Sequence, residues 1–352
     1  MISIDDILRG DADRELNDRE KEILRKIIQL YILKASPIGS RTLAKYIEQD
    51  FRLSPATIRN VMADLEELEY ISHPHTSAGR IPTDKGYRFY VDSLNGIVNL
   101  NENDIISAAS GLATGDSETV LRGASRLLGM LSKYLGWVKI PNIIECRVQK
   151  IEIIPISSSR IVVVIALDSN IVRTVSLEAD FELDSRFIRD ITQFINDKIS
   201  GRTLSFIKDN FADMIKDFSG SDMPVLRLFT ESLDKIFADQ SAQDRVLMAG
   251  TQNLLGHPEF ETPESVRSVI ELVENEDIVI HLLDKIEDPQ GIKVLIGHEM
   301  QNDIMNDYSL VLTNYTIGSA IGTIGLIGPK RMNYPKMISI VKTVADLLSK
   351  PS

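Results

Sequence analysis

Residues 54–65 read Ser-Pro-Ala-Thr-Ile-Arg-Asn-Val-Met-Ala-Asp-Leu, and they narrow the fold more than any other stretch of the chain. The Ser54 hydroxyl can accept a bond from a free N–H at a helix start, and Pro55 stands where its missing donor does no harm. Apolar Ile58, Val61, Met62, Leu65 and Leu68 then recur at the helical period and define one buried stripe. At about 100° per residue from that stripe, the outward face carries Ala56, Asn60 and Ala63, with Thr57 and Arg59 on its flanks. Such a small, polar face, basic near its N-terminal end, suits the major groove, where Arg pairs with guanine and Asn with adenine through two hydrogen bonds each.

The preceding segments predict the rest of a helix-turn-helix. Asn17 and Glu20 have capping-box character and open a helix with Ile23, Leu24, Ile27, Ile28 and Tyr31 on its inner side, ending near Ser36-Pro37-Ile38-Gly39. Ser40 is expected to cap a short helix holding Leu43, Ala44 and Ile47. Past the Ser54 helix, Tyr70 to His73 and Arg80-Ile81 read as short strands joined by a loop in which Gly79 is placed to take positive φ. Thr83 or Asp84 then caps a helix with Tyr87, Tyr90, Val91 and Leu94 on one face. Helix, helix, helix, wing, helix is the winged-helix layout. A capped amphipathic helix alone would fit any small bundle; the three-helix spacing, Arg59, Asn60 and the basic wing favour DNA. The candidate contacts are Ser54, Ala56, Thr57, Arg59, Asn60 and Ala63 on the recognition helix, and His75, Thr76, Ser77 and Arg80 on the wing. From Leu16 to Tyr90 there are 12 Lys and Arg against 10 Asp and Glu, whereas the whole chain stands at −12. An acidic body discourages non-specific adhesion to DNA and leaves the near-neutral module to bind selectively.

Beyond Leu94 the pattern becomes α+β. Helical segments are expected from Asn101 and over Ser117 to Leu135, the second with Val120, Leu121, Ala124, Leu127, Leu128 and Leu131 inward. Three β-branched runs, 148–156, 160–167 and 171–177, read as a meander, and 292–296, 308–315 and 321–327 supply further strands before Pro335 opens a last helix through Leu348. Between the two sets lies a helical block, 184–260, with apolar stripes through Phe187 to Ile195, Phe206 to Ile215 and Leu226 to Phe237. So many bulky apolar residues in so short a block fit either a surface covered by a partner chain or a small core of its own.

With 352 residues and 43% hydrophobic content, two or three domains with real cores are expected. A lone cysteine, Cys146, excludes an internal disulfide and reads as a small buried hydrophobe. The N-terminus lacks the basic and apolar regions of a signal peptide, and no apolar run reaches the roughly 20 residues that span a bilayer, so a cytoplasmic location and no membrane partner are expected. Gly318, Gly322, Gly325 and Gly328 do not match a phosphate-cradling spacing and read instead as sites of close packing. The five histidines form no metal-ligand spacing, and Ser157-Ser158-Ser159 lacks the surroundings of a nucleophile. No catalytic, cofactor or metal site is expected.

Four strings carry a resemblance. Ser54 to Tyr70, His73 to Asp92, Ala249 to Leu255 with Pro258-Glu259-Phe260, and Gly322 to Tyr334 resemble the HrcA heat-inducible transcription repressor family. The resemblance spans nearly the whole chain after residues 1–15, which lie outside it and are expected to form a mobile extension. It implies a winged-helix DNA-binding domain at 16–95, a GAF-like α+β domain from 101–183 and 261–350, and an inserted, mainly helical dimerisation domain at 184–260. It further implies a homodimer on the inverted-repeat CIRCE operator of heat-shock chaperone operons, kept active by the GroEL chaperonin. A ligand-responsive regulator, whose GAF-like domain binds a small-molecule effector, remains the alternative.

Overall fold

The computed structural model describes residues 14–48, 53–74, 79–94, 117–141, 143–168, 171–181, 185–217, 223–237, 246–285 and 291–349. Nearly all of the expected N-terminal extension, the helix expected from Asn101, and the wing positions His75, Thr76 and Ser77 lie outside them.

Helix α1 (Asp18–Lys34) starts with the expected capping box: Asn17 Oδ1 accepts from Glu20 N–H, and Glu20 accepts from Asn17 N–H. Its apolar residues Ile23, Leu24, Ile27 and Ile28 are fully inside. In α2 (Ser40–Tyr46), Ser40 is the first helical residue rather than the cap; Gly39 holds the cap position and offers no side-chain bond. Helix α3 (Pro55–Glu67) is capped by Ser54, and Ile58, Val61, Met62, Leu65 and Leu68 are all buried. The wing pairs β1 (Ile71–Ser72) with β2 (Ile81–Pro82) antiparallel. Thr83 caps α4 (Asp84–Asp92) by accepting from Gly86 N–H.

The body is a five-stranded antiparallel sheet in the order β7-β3-β10-β9-β8. Its strands are β3 (Leu135–Lys139), β7 (Val246–Ala249), β8 (Lys293–Ile296), β9 (Tyr308–Ile317) and β10 (Ala320–Pro329). Helix α5 (Ser117–Ser132) packs on β3 and β7, while the C-terminal helix (Tyr334–Leu348), capped by Asn333, packs on β9 and β10 and on α5. The glycines of β10 serve close packing, as expected: the Tyr315 ring lies over Gly322, Trp137 against Gly325 and Tyr134 over Gly328.

A second sheet, β4 (Val148–Ser157), β5 (Arg160–Leu167) and β6 (Val172–Glu178), forms the expected meander but pairs with none of the body's strands. Its alternate residues Ile151, Ile153, Ile161, Val163, Ile165, Val175 and Leu177 pack against the helices α6 (Ser185–Ile199), α7 (Leu204–Met214), α8 (Met223–Glu231) and α9 (Leu233–Phe237) in a separate core, which also buries the free Cys146. The Asn196 side chain ties α6 to β4, accepting from Ile151 N–H and donating to Ile151 O, both at 2.7 Å.

The packing therefore divides the chain elsewhere than at 184 and 260. The insert leaves the body after Lys139 and returns at Val246, and these two residues are paired neighbours in the ladder between β3 and β7. The meander belongs to the insert, because among the described residues its inner face packs almost wholly on the insert's helices, with Ala320 at the start of β10 as the body's contribution. Residues 246–260 belong to the body, where β7 completes the sheet and Phe260 stacks on Tyr308 at 5.3 Å. The winged-helix domain and the body share one continuous core. At their junction Tyr87 and Tyr90 of α4 meet Tyr334, with ring centroids 6.0 and 6.5 Å apart, and pairs of this kind contribute roughly 0.5–1.5 kcal/mol beyond area burial.

Candidate nucleic-acid interface

Ser54 fixes the start of α3. Its hydroxyl accepts from Thr57 N–H at 3.1 Å and lies 2.9 Å from the Thr57 hydroxyl. A cap of this kind is worth about 1 kcal/mol, and it leaves the remaining N–H groups of the first turn facing outward, where they favour an anion. With the stripe at Ile58, Val61, Met62 and Leu65 buried, Ala56, Arg59, Asn60 and Ala63 stand exposed and Thr57 half-buried. Among the described residues, the Arg59 and Asn60 side chains have no hydrogen-bond or ion-pair partner. An exposed Arg beside an exposed Asn, flanked by two alanines that let the helix approach closely, can make paired bonds to guanine and adenine edges.

The wing is fastened to this helix and to the turn before it. Ile38 and Arg80 form an antiparallel bridge with two N–H···O bonds of 2.9 Å. Gly79 does not adopt positive φ; its importance lies in close approach, since a Cβ there would stand 2.5 Å from the Ile38 carbonyl carbon. Arg80 turns back to Glu66 near the end of α3 and pairs with it at 2.6 Å. His73 Nδ1 meets the other Glu66 oxygen, so a single carboxylate gathers both strands of the wing onto the helix. Arg80 Nε is buried without a hydrogen-bond partner. At the wing's base, Thr83 donates to Glu69 O at 2.6 Å and Lys85 Nζ sits 4.7 Å above the Tyr70 ring.

Two further exposed cations lie outside the expected set. Arg41 and Lys45 are exposed on α2, four residues apart and hence on one face. The first helix of a helix-turn-helix crosses the phosphate backbone, and this spacing at the head of a short helix is the signal that marks them in the sequence. Among the described residues, no helix is long and apolar enough to cross a membrane, and no group of three or more His, Cys, Asp and Glu is placed to hold a metal ion.

A capped helix with an open Arg-Asn face, a preceding helix with two exposed cations and a hairpin fastened alongside define a winged-helix DNA-binding protein. Comparison with known proteins makes this specific. Residues 15–93 match the family described as winged helix-turn-helix transcription repressor, HrcA DNA-binding, and residues 118–338 match HrcA protein C terminal domain. The chain is 35% identical over 347 residues to the heat-inducible transcription repressor HrcA of Chlorobium phaeobacteroides (strain BS1), covering 95% of this chain and 98% of the relative. It is 36% identical over 350 residues to that of Chlorobaculum tepidum, covering 96% and 97%. A crystal structure described only as that of a hypothetical protein aligns with a TM-score of 0.62 at 28% identity, over 95% of this chain and 98% of that one. The chain belongs to the HrcA family of heat-inducible transcription repressors. It is a DNA-binding repressor, not an enzyme.

Proposed function

We propose that this repressor binds the inverted-repeat CIRCE operator of heat-shock chaperone operons as a homodimer, and that the GroEL chaperonin keeps it active. Ser54, Ala56, Thr57, Arg59, Asn60 and Ala63 face the major groove, while His75, Thr76, Ser77 and Arg80 lie against phosphates or the neighbouring minor groove. The observation that carries the DNA reading is the pair Arg59 and Asn60, exposed on a capped helix and without a partner among the described residues. Support for dimerisation comes from the insert. The outer face of β4–β6 exposes Ile154, Ile156 and Val172, at 45, 61 and 62%, on a sheet whose other face already packs a core. Apolar surface of that kind is suited to a second copy of the chain. In this reading misfolded protein occupies the chaperonin, the repressor loses its support, and chaperone genes are expressed.

The test is operator occupancy at fixed repressor concentration, with GroEL alone and then with GroEL plus a denatured protein. Occupancy should rise with the first addition and fall with the second. If a partly active preparation responds to neither, chaperonin titration is wrong for this protein.

A further inference from the structure

Three of the strings that carry the family resemblance lie far apart in sequence, yet they meet at one place, the junction of the winged-helix domain with the body. Asp84, in the first turn of α4, accepts from Lys330 Nζ at 2.8 Å and from His298 through its Nδ1 at 2.7 Å and its backbone N–H at 3.1 Å. Burial alone would raise its pKa; the bonds from Lys330 and His298 outweigh that and hold the carboxyl below its usual range. One turn on, Arg88 donates to Glu299 Oε1 and to Val294 O, each at 2.7 Å. From the other side, Arg331 donates to Ile32 O at the end of α1 at 2.8 Å and pairs with Glu259. None of these residues belongs to the DNA-contacting set.

We propose that Asp84, Arg88 and Arg331 are positioning residues for operator recognition, fixing the angle and register at which the body presents the recognition helix. The aromatic contact beneath them, Tyr87 and Tyr90 on Tyr334, favours tilted and edge-on rings but carries no charge that would tell one turn of α4 from the next. The ion pairs do. On α4 an acid precedes a base by one turn, and the body faces them with Lys330 and His298 opposite the acid and Glu299 opposite the base. A slip of one turn would set like charges together, so the pattern excludes the neighbouring register as well as favouring this one. The tie from Arg331 to α1 approaches from a second direction and removes rotation about α4. In a dimer held by the insert, this orientation decides how far apart and at what angle the two α3 helices stand, and hence which spacer between half-sites is accepted.

This inference rests on the homodimeric inverted-repeat reading, and its test separates the two. Asp84→Asn with Arg88→Gln, and separately Arg331→Gln, are compared with the parent full-length chain on three DNA duplexes. These are a single half-site, the promoter's own inverted repeat, and that repeat with one base pair added to or removed from its spacer. Half-site affinity should stay within about twofold, which also reports a folded DNA-binding domain. Affinity for the natural spacer should fall by about tenfold or more as the linked second contact is lost, and discrimination between spacers should flatten, while sedimentation still shows a dimer. Unchanged spacer discrimination, equal losses on half-site and repeat, or a monomeric variant would each overturn the positioning role. A parent chain that binds the repeat no better than the half-site would instead overturn the homodimeric reading itself.

Discussion

Replacing Gly79 by alanine should detach the wing from the helix-turn-helix. The added Cβ would lie 2.5 Å from Ile38 C and 2.7 Å from both Ile38 N and O, all backbone atoms that cannot rotate away, whereas ordinary contact begins at 3.4 Å. Accommodation requires the two backbones to part. That takes both 2.9 Å bonds between Ile38 and Arg80 beyond the normal range of about 2.7–3.2 Å. Two such bonds at about 0.5–1.5 kcal/mol each give roughly 1–3 kcal/mol, without counting the displacement of Ile38, which is only 1% exposed. Hydrogen exchange reads this directly. The Ile38 and Arg80 amides should exchange about 5 to 150 times faster, while amides in β9 and β10 keep the parent's protection. Operator affinity should weaken in the same variant. Parent-like protection at Ile38 and Arg80 would refute the close-approach argument.

Alanine at Arg59 or Asn60 should lower affinity for the operator by about 1–3 kcal/mol and affect random DNA much less, measured by titration against both; equal losses would remove base reading from α3. Arg80→Ala should weaken operator binding and reduce the salt dependence by about one unit of slope if the side chain leaves Glu66 for one phosphate, whereas an unchanged slope with unchanged affinity would leave Arg80 as a purely internal tie to Glu66. Aspartate at both Ile154 and Ile156 should give a folded monomer by sedimentation, because these side chains are already exposed within the protomer and lose only their cover from a second copy; an intact dimer would move the interface off this face.

The DNA-binding module was legible because its signals are local. A cap at Ser54, a proline after it and a 3.6-residue stripe all lie within one helix, and the same is true of Asn17 with Glu20 and of Thr83. The body was harder to read. Leu135 to Lys139 is a short central strand, buried on both faces and interrupted by Gly136, so it has no alternation and merges with the preceding helix. The four residues of β7 are too few to stand out. Without these two strands the meander looked like the body's own, and the boundaries fell at 184 and 260 rather than at the paired residues Lys139 and Val246. Gly79 matters for its close approach to the Ile38 backbone rather than for positive φ, and that approach is a tertiary contact that no local pattern announces. The junction escaped for the same reason: Asp84 and Lys330 are 246 positions apart, and nothing in either string names its partner.

Recognition of a particular inverted repeat through Arg59 and Asn60 on two linked α3 helices is tested most directly by a footprint of the purified repressor across the promoters of its own genome. The expected result is protection of a two-fold symmetric site upstream of chaperone operons, with half-sites spaced by whole helical turns of about 34–36 Å, lost when Arg59 and Asn60 are both replaced by alanine. Protection without symmetry, protection that survives the double replacement, or binding no stronger there than on random DNA would contradict it.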